Sequence, residues 1–298
     1  MARIVVVGLG SMGLGMARVL VGAGHEVFGQ DISAERLDAF LASGGKAVPD
    51  NRADAAPDVI VCVVLNAQQT EEVLFDPESG WAGHMAPGSV IVSCATVPPG
   101  FACEMEDRAT RAGLLYLDAP ISGGAAKAAK GALSVMASGS EAAFAKAAGV
   151  LDAVAETVHN LGPKAGMGSA MKSVNQLLAG VHIAAMGEAL ALAVSQNLDL
   201  RQVVEVVSAS AGTSWMFENR APHVLDGDYT PRSSVSIWPK DLGIVSDIAG
   251  GAGLPVPMAR AALEQFKAAA MAGDAQADDA AVTRVYARAA GLSLPGEG

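Results

Sequence analysis

The 298-residue chain contains few cysteines and few histidines, and both shortages argue against particular kinds of site. Cysteine occurs three times without CxxC spacing, which is not typical of a disulfide framework or a thiolate metal centre. The five histidines show neither HxxxH nor HxxE spacing, so we expect no metal site. We expect free thiols in a reducing compartment at Cys62, Cys94 and Cys103.

Basic residues are also scarce. The chain has 20 Lys and Arg against 31 Asp and Glu, a formal net charge of −11. This balance argues against nucleic acid or an anionic membrane as a partner. An anionic small-molecule substrate would need a local cationic pocket, which draws attention to the few lysines in apolar surroundings.

Long hydrophobic runs are missing, and aromatic residues are rare. The longest apolar stretch, Val59–Leu65, has the length of a strand, and the N-terminal run Ile4–Val7 is too short for a signal peptide. We therefore expect a cytoplasmic protein without a membrane span. Aromatic residues make up 4% of the chain and hydrophobic residues 51%, so Ala, Val, Leu and Met must form most of the core. We also expect Trp215, Phe217 and Trp238 in that core.

A glycine-rich turn follows the first apolar run and precedes a stretch of helical periodicity. Gly8 allows a sharp turn, Gly10 lets backbone amides approach a pyrophosphate, and Gly13 lets the next helix pack closely on the strand. The positive end of the helix dipole would face the phosphates. This arrangement predicts a dinucleotide-binding turn formed by Gly8, Leu9, Gly10, Ser11, Met12 and Gly13.

Asp31 immediately follows the second predicted strand, eighteen residues after Gly13. That spacing is close to the one expected for a carboxylate that accepts hydrogen bonds from the adenosine ribose hydroxyls. The same charge would repel a 2′-phosphate. Asp31 therefore favours NAD over NADP.

Strands and helices alternate in the first part of the chain, and helices alone follow. Alternation is typical of βαβ units with a parallel sheet. We predict an α/β Rossmann-type NAD-binding domain over residues 1–162 and a second domain over 163–298, with a long interdomain helix over about 168–195 and an otherwise all-α fold. The tail from Leu292 is expected to fray. The predicted strands are Arg3–Val7, Glu26–Gln30, Val59–Leu65, Ser89–Ser93, Leu114–Asp118, Leu133–Ala137 and Val158–Leu161. The predicted later helices are Leu200–Ala209, Met216–Leu225, Asp241–Ala249, Met258–Ala272 and Ala280–Ala290.

Several polar or glycine-rich segments follow the carboxyl ends of predicted strands, where open α/β sheets bind ligands. Leu65 and Asn66 follow the third strand, and Thr96 follows the fourth. The loop Ser122, Gly123 and Gly124 follows the fifth and can present several donors to one anion, such as a substrate carboxylate. Each of these segments can also be read as an ordinary turn or loop.

Two lysines are candidates for chemistry in the second half of the chain. Lys172 and Asn175 are three residues apart on the long helix and share a face. Lys172 can act as a general acid/base on a hydroxyl or carbonyl, while Asn175 can orient it or bind a substrate hydroxyl. Lys240 precedes Asp241, which can be read as a helix cap, and can reach the cofactor or substrate. The alternative for Lys172 is a snorkelling or salt-bridged side chain.

Four motifs in order resemble the β-hydroxyacid dehydrogenases of the 3-hydroxyisobutyrate dehydrogenase and tartronate semialdehyde reductase group. The resemblance covers essentially the whole chain and rests on the segments 7–17, 118–124, 166–175 and 240–242. It implies that Lys172 is the catalytic acid/base and that the active site lies in the cleft between the two domains. It further implies a homodimer or homotetramer.

The resemblance also implies roles for the neighbouring residues. The loop 122–124 would hold the substrate carboxylate with help from Asn175, and Thr96 and Lys240 would contact the cofactor near its nicotinamide end. Segments 214–220, 226–232 and 278–282 resemble the L-threonate dehydrogenase subgroup, whose members oxidise the C2 hydroxyl of a four-carbon sugar acid with NAD.

Three positions depart from the relatives, and other functions remain open. Ser93 stands where relatives often have Asp, Gln176 where many have Asn, and Trp238-Pro239 where the threonate subgroup tends to have Phe-Val. The last two lie near the substrate side. The alternatives are 3-hydroxyisobutyrate dehydrogenase, tartronate semialdehyde reductase and a non-catalytic dinucleotide-binding module.

Overall fold

The computed structural model describes residues 1–296 and divides the chain into two compact units. The first unit spans Met1–Lys172 and the second Ser173–Gly298. The division falls inside the long helix, whereas the sequence-based prediction placed a boundary at 162/163. The first turn of that helix belongs with the first unit because its backbone is bonded to the carboxylate of Asp118.

A nine-stranded sheet forms the centre of the first unit, in the order β3-β2-β1-β4-β5-β6-β8-β7, with β9 paired to β8. Its first six strands pair in parallel, as predicted, but β8 runs antiparallel to β6 and β7. The strands are β1 Arg3–Val7, β2 Glu26–Gln30, β3 Lys46–Ala47, β4 Val59–Cys62, β5 Val90–Ser93, β6 Leu115–Asp118, β7 Ile121–Ser122, β8 Leu133–Gly139 and β9 Ala155–Asn160.

The central strands are apolar throughout because both faces of the sheet are covered. Every residue of β4 and β5 is buried. The pairings Val7–Cys62, Cys62–Ser93 and Ser93–Asp118 place the last residues of β1, β4, β5 and β6 in one row. The segments that follow these strands therefore leave the sheet at the same edge.

Helices cover the sheet of the first unit. Gly13, which begins the first helix, approaches the backbone so closely that a Cβ atom there would lie 1.8 Å from the Gly8 carbonyl oxygen. The helices are α1 Gly13–Gly22, α2 Ala34–Leu41, α3 Ala67–Phe75, α4 Pro99–Arg111, α5 Gly124–Ala128 and α6 Glu141–Val154.

The long predicted helix is present as α7, Met167–Ser195, and the second unit is helical. Among the described residues of that unit only an isolated bridge, Ser234–Asp278, has strand pairing. The further helices are α8 Leu200–Ser208, α9 Trp215–Asp226, α10 Ile237–Gly251, α11 Pro257–Ala269 and α12 Thr283–Ala290, with a π-helical segment Ala270–Asp274 and a 3-10 turn Asp279–Val282.

Two predicted helices differ from the structure by more than a one-residue shift of their start. Helix α10 begins at Ile237 rather than Asp241, because Pro239 lies in its first turn, where a missing N–H costs no helical bond. Asp241 is therefore inside the helix, and the expectation that it caps the helix is wrong. The predicted helix 280–290 is split into the 3-10 turn and α12.

The core of the second unit is rich in small side chains and includes two of the three aromatic residues expected there. Phe217 and Trp238 are buried, and Trp238 stacks on Phe266 with ring centroids 5.3 Å apart. Trp215 is 52% exposed, so its expected place in the core is wrong. Its position as the first residue of α9 explains this exposure.

The tail packs against the second unit in part. Leu294 is buried, which contradicts fraying from Leu292 onward, and residues 297–298 lie outside the described part of the chain.

Helix α7 is long and apolar enough to cross a membrane by length and composition alone. Half of its most apolar window is buried within the protein. Ala179, Ile183, Met186 and Leu190 are spaced along one helical face and belong to the core of the second unit. Such a core helix passes the same length test, so α7 is weak evidence for a membrane.

Candidate active site

The turn between β1 and α1 contains three glycines, and packing within the protein requires a glycine at only two of these positions. At Gly8, φ is +92° and a Cβ atom would lie 2.5 Å from the Val63 carbonyl oxygen. Gly13 is equally confined by the Gly8 carbonyl. A Cβ at Gly10 would meet no protein atom within 4 Å among the described residues. The open space at Gly10 is where the predicted pyrophosphate would need close access to the backbone.

The amino end of α1 is suited to an anion. Met12 caps the helix without a side-chain hydrogen bond, and no acidic residue lies in the first turn of this described element. The N-cap side chain therefore occupies none of the first amides, although the Leu14 amide donates to the Gly10 carbonyl oxygen at 3.0 Å. A cavity of about 300 Å³ adjoins this turn and is lined in part by Leu9, Gly10 and Ser11.

Asp31 joins the end of β2 to the glycine turn. One of its carboxylate oxygens accepts a hydrogen bond from the Leu9 amide at 2.6 Å, and the other accepts one from the Ser33 amide at 2.8 Å. Arg36 lies 3.8 Å from the second oxygen. A carboxylate offers about four lone-pair positions, so Asp31 keeps acceptor capacity for ribose hydroxyls. The turn, the helix end and Asp31 together fit a bound dinucleotide.

The segments after β4 and β5 lie at the same edge of the sheet as the glycine turn. Asn66 caps α3, its side-chain oxygen accepting from the Gln69 amide at 2.8 Å, while Leu65 is exposed. Thr96 is half-buried in the segment between β5 and α4. Capping accounts for Asn66 without a ligand, whereas the exposed Leu65 is available to contact one.

The loop after β6 has an unusual backbone. Ser122 ends β7, and Gly123 and Gly124 follow with φ values of +133° and +72°. Two successive residues in this region favour glycine, because side chains are strained there. The turn orients neighbouring backbone amides differently from a regular helix or strand, as in anion-binding nests.

Lys172 lies beside the predicted carboxylate loop, although the two are far apart in sequence. Its side chain is 8% exposed, and Nζ donates a hydrogen bond of 2.9 Å to the carbonyl oxygen of Ile121. Ile121 immediately precedes Ser122. The structure therefore brings the predicted acid/base and the predicted carboxylate loop together within the first unit.

Asp118 holds the first turn of α7 in place, a role that the sequence analysis missed. One oxygen accepts from the amides of Gly166 and Ser169 at 2.9 and 2.8 Å, and the other accepts from the Ser169 hydroxyl at 2.7 Å. Burial raises the pKa of Asp118, although these hydrogen bonds oppose the rise. Lys172 follows Ser169 by three residues, so Asp118 anchors the helical turn that carries it. The position of Asp118 at the end of a predicted strand was the feature of the sequence that could have indicated this role.

The second unit contains the other two predicted site residues in one connected network. The Asn175 amide nitrogen donates to the Gln176 oxygen at 3.0 Å, and the Gln176 nitrogen donates to Asp241 at 2.5 Å. The other Asp241 oxygen lies 2.6 Å from Lys240 Nζ. Gln176 and Asp241 were not predicted as site residues. Two features of the sequence could have drawn attention to them: Gln176 stands where many relatives have Asn, and Asp241 directly follows Lys240.

The structure also locates the three cysteines. Cys62, Cys94 and Cys103 are free, and Cys62 and Cys94 are buried. Burial raises the pKa of Cys62 to about 12 and that of Cys94 further. The described residues contain no group of three or more His, Cys, Asp or Glu side chains placed to hold a metal ion.

Two family models together match nearly the whole chain. One, described as the NAD binding domain of 6-phosphogluconate dehydrogenase, matches residues 3–162. The other, described as the NAD-binding of NADP-dependent 3-hydroxyisobutyrate dehydrogenase, matches residues 166–286. The predicted nicotinamide cofactor and the predicted family are both confirmed.

Individual relatives match over nearly their full length. The L-threonate dehydrogenase of Cupriavidus necator is 46% identical over 98% of this chain and 97% of its own. The L-threonate dehydrogenase of Escherichia coli strain K12 is 45% identical over 98% of this chain and 96% of its own. A crystal structure of 3-hydroxyisobutyrate dehydrogenase from Salmonella typhimurium has a TM-score of 0.90 and 46% identity, covering 95% of this chain and 99% of that one.

Proposed function

Because the chain belongs to the 3-hydroxyisobutyrate dehydrogenase family and is an NAD-dependent hydroxyacid dehydrogenase, we propose that it oxidises L-threonate at C2 to the 2-oxo acid. The observation that carries the proposed chemistry is the bond from Lys172 to the Ile121 carbonyl, beside the loop 122–124. The choice of substrate is supported by full-length relatives that carry the name L-threonate dehydrogenase.

Lys172 is assigned the proton transfer. As a neutral amine, its Nζ takes the proton of the substrate hydroxyl, and as an ammonium it returns a proton to the carbonyl oxygen in the reverse direction. Bound NAD supplies the hydride acceptor. The hydrogen bond to the Ile121 carbonyl keeps the Lys172 side chain in one orientation beside the loop 122–124.

The remaining residues are assigned to binding. Ser122, Gly123 and Gly124 hold the substrate carboxylate, and Asn175 binds a substrate hydroxyl. The glycine turn and Asp31 hold the adenosine and pyrophosphate part of the cofactor. Leu65, Asn66, Thr96 and Lys240 contact the cofactor further along.

Absorbance of NADH during oxidation of a panel of acids tests the substrate. The panel comprises L-threonate, D-threonate, D-erythronate, 3-hydroxyisobutyrate and D-glycerate at about pH 9, where a lysine amine is more readily neutral than at pH 7. We expect activity with L-threonate and NAD. The name of the 46% identical crystal structure makes 3-hydroxyisobutyrate the second candidate, and activity confined to that acid would replace the substrate but not the chemistry.

Replacement of Lys172 by Ala tests the acid/base assignment. Loss of a general acid/base costs about a hundredfold to ten-thousandfold in rate, while NADH binding, measured by its fluorescence, should persist. The exposed Lys164→Ala variant is the matched control and should keep wild-type activity. A Lys172→Ala rate within about tenfold of wild type, or about 1.4 kcal/mol of barrier, would contradict the assignment.

The protein is further proposed to be a homodimer or homotetramer. Helix α7 exposes apolar side chains spaced by four, three and four residues, which lie on one helical face. These side chains are Met167, Met171, Val174 and Leu178. Light scattering of the purified protein tests the proposal, and a monomeric mass would contradict it.

A further inference from the structure

Two buried side chains, the amide of Gln176 and the carboxylate of Asp241, connect Asn175 with Lys240. The proposed function assigns Asn175 to the substrate and Lys240 to the cofactor. Gln176 of α7 and Asp241 of α10 are 65 positions apart in sequence. The side-chain nitrogen of Gln176 donates to a carboxylate oxygen of Asp241 at 2.5 Å. Gln176 also accepts from Asn175, and Asp241 pairs with Lys240. The four side chains form one continuous network within the second unit.

The chemistry of these groups determines how each amide is oriented. The carboxylate of Asp241 can only accept, so the Gln176 nitrogen must face it. The Gln176 oxygen then faces Asn175 and must receive the Asn175 nitrogen. Asn175 is therefore oriented with its nitrogen toward Gln176 and its oxygen on the opposite side of the amide.

Burial makes this orientation costly to change. Gln176 is 7% exposed and Asp241 is 2% exposed. A flipped Gln176 amide would place an oxygen against the buried carboxylate and leave an N–H opposite the Asn175 nitrogen. Unpaired buried polar groups and like charges in a low dielectric are strongly unfavourable. The negative charge of Asp241 is compensated by the ammonium of Lys240 at 2.6 Å.

We propose that Gln176 and Asp241 are positioning residues, an inference that rests on the proposed function. Together they orient the amide of Asn175 for the substrate and hold the ammonium of Lys240 for the cofactor. The oriented oxygen of Asn175 accepts a hydrogen bond from a hydroxyl next to the carbon that is oxidised. The network therefore selects acids that carry a second hydroxyl at that position.

Gln176→Met removes the polar ends of the side chain while keeping its length and unbranched shape. We expect the preference of the wild type for L-threonate over its 3-deoxy counterpart, measured as the ratio of kcat/KM values, to fall by about tenfold. The KM for NAD should stay unchanged. If Gln176→Met does not fold, Gln176→Asn, which is one methylene shorter, takes its place.

Asp241→Asn tests the other half of the network. Asparagine has only one acceptor oxygen, which cannot accept from Gln176 and pair with Lys240 at the same time, so NADH affinity should fall by about tenfold. Ser246→Ala is the matched control, because its hydroxyl bonds only to the backbone of α10 at Leu242 among the contacts described. This control should bind NADH as the wild type does.

A double-mutant cycle separates positioning from general structural damage. In an Asn175→Ala background, Gln176→Met should have no further effect on the preference for the second hydroxyl. Additive effects, or an unchanged preference in Gln176→Met alone, would overturn the assignment of Gln176.

The proposed function and this inference fail in different ways. If the wild type oxidises none of the acids in the panel, the proposed function fails, and the NADH titrations of Asp241→Asn and Ser246→Ala still test the network. Unchanged NADH affinity in Asp241→Asn would overturn the assignment of Asp241.

Discussion

Asp31 binds the backbone of the glycine turn and the start of α2 with its two carboxylate oxygens. It accepts from Leu9 at 2.6 Å and from Ser33 at 2.8 Å. The residue that the sequence predicts to select the cofactor therefore also fixes the conformation of the turn. This double role means that its replacement changes both cofactor choice and local geometry.

Asp31→Asn should shift cofactor preference toward NADP. Asparagine keeps an oxygen that can accept from Leu9, loses the charge that repels a 2′-phosphate, and leaves Arg36 nearby. We expect the ratio of kcat/KM with NADP to that with NAD to rise by about tenfold to a hundredfold, or about 1.4 to 2.7 kcal/mol. Adding Arg36→Met should reverse the gain. An unchanged ratio would show that the charge of Asp31 does not set cofactor choice.

At the scale of elements, the first turn of α7 is attached to the sheet by Asp118 and Ser138. The Ser138 hydroxyl accepts from the Gly168 amide at 2.9 Å, and Asp118 accepts from Gly166 and Ser169. Anionic and hydroxyl groups at a helix amino end satisfy amides that have no partner within the helix. The turn before Lys172 is thereby held by two strands.

Asp118→Asn should make the free energy of unfolding less dependent on pH. Burial raises the pKa of Asp118, so the folded state holds this proton more tightly than the unfolded chain does. The stabilising contribution of Asp118 is therefore complete below its unfolded pKa of about 3.9 and is lost as pH rises through its folded pKa. Asparagine does not titrate and can still accept from the two amides.

Urea unfolding of the two proteins, followed by circular dichroism over a pH series, checks this sign. The stability difference should move in favour of Asp118→Asn as pH rises above about 4. A difference that is independent of pH, or one that moves the other way, would contradict the raised pKa.

At the scale of the whole molecule, the two units are stabilised by different means. The first has a sheet whose central strands are buried on both faces, while the second places buried charges among helices. Arg220 pairs with Asp279 at 2.6 Å, and Trp238 donates to the same carboxylate at 3.0 Å. Burial raises the pKa of Asp279 despite the neighbouring guanidinium.

Arg220→Met should destabilise the second unit strongly. It leaves the Asp279 carboxylate buried without its cation, which costs about 3–5 kcal/mol when one partner of a buried pair is removed. Arg201→Met is the control, since the Arg201–Asp226 pair is exposed and should contribute about 0–1 kcal/mol. Thermal unfolding midpoints measure both. Equal losses in the two variants would contradict the role given to burial.

The local features of this protein follow from its amino-acid sequence alone. The strands β1 and β2, the long helix α7 and the glycine turn were predicted closely, because hydrophobic period and glycine spacing act over a few neighbouring residues. Lys172 stood out in the sequence as a lysine within an apolar helix, and its role as acid/base stays a prediction.

Contacts between groups that are distant in sequence depend on how the chain folds. The antiparallel course of β8, the anchoring of Ser169 by Asp118 and the bond between Gln176 and Asp241 join positions 20 to 65 residues apart. No local period reports such contacts, because they depend on how whole elements pack and on the need to pair every buried polar group. Local physics therefore determined what the elements are, and burial in the folded chain determined what their polar side chains do.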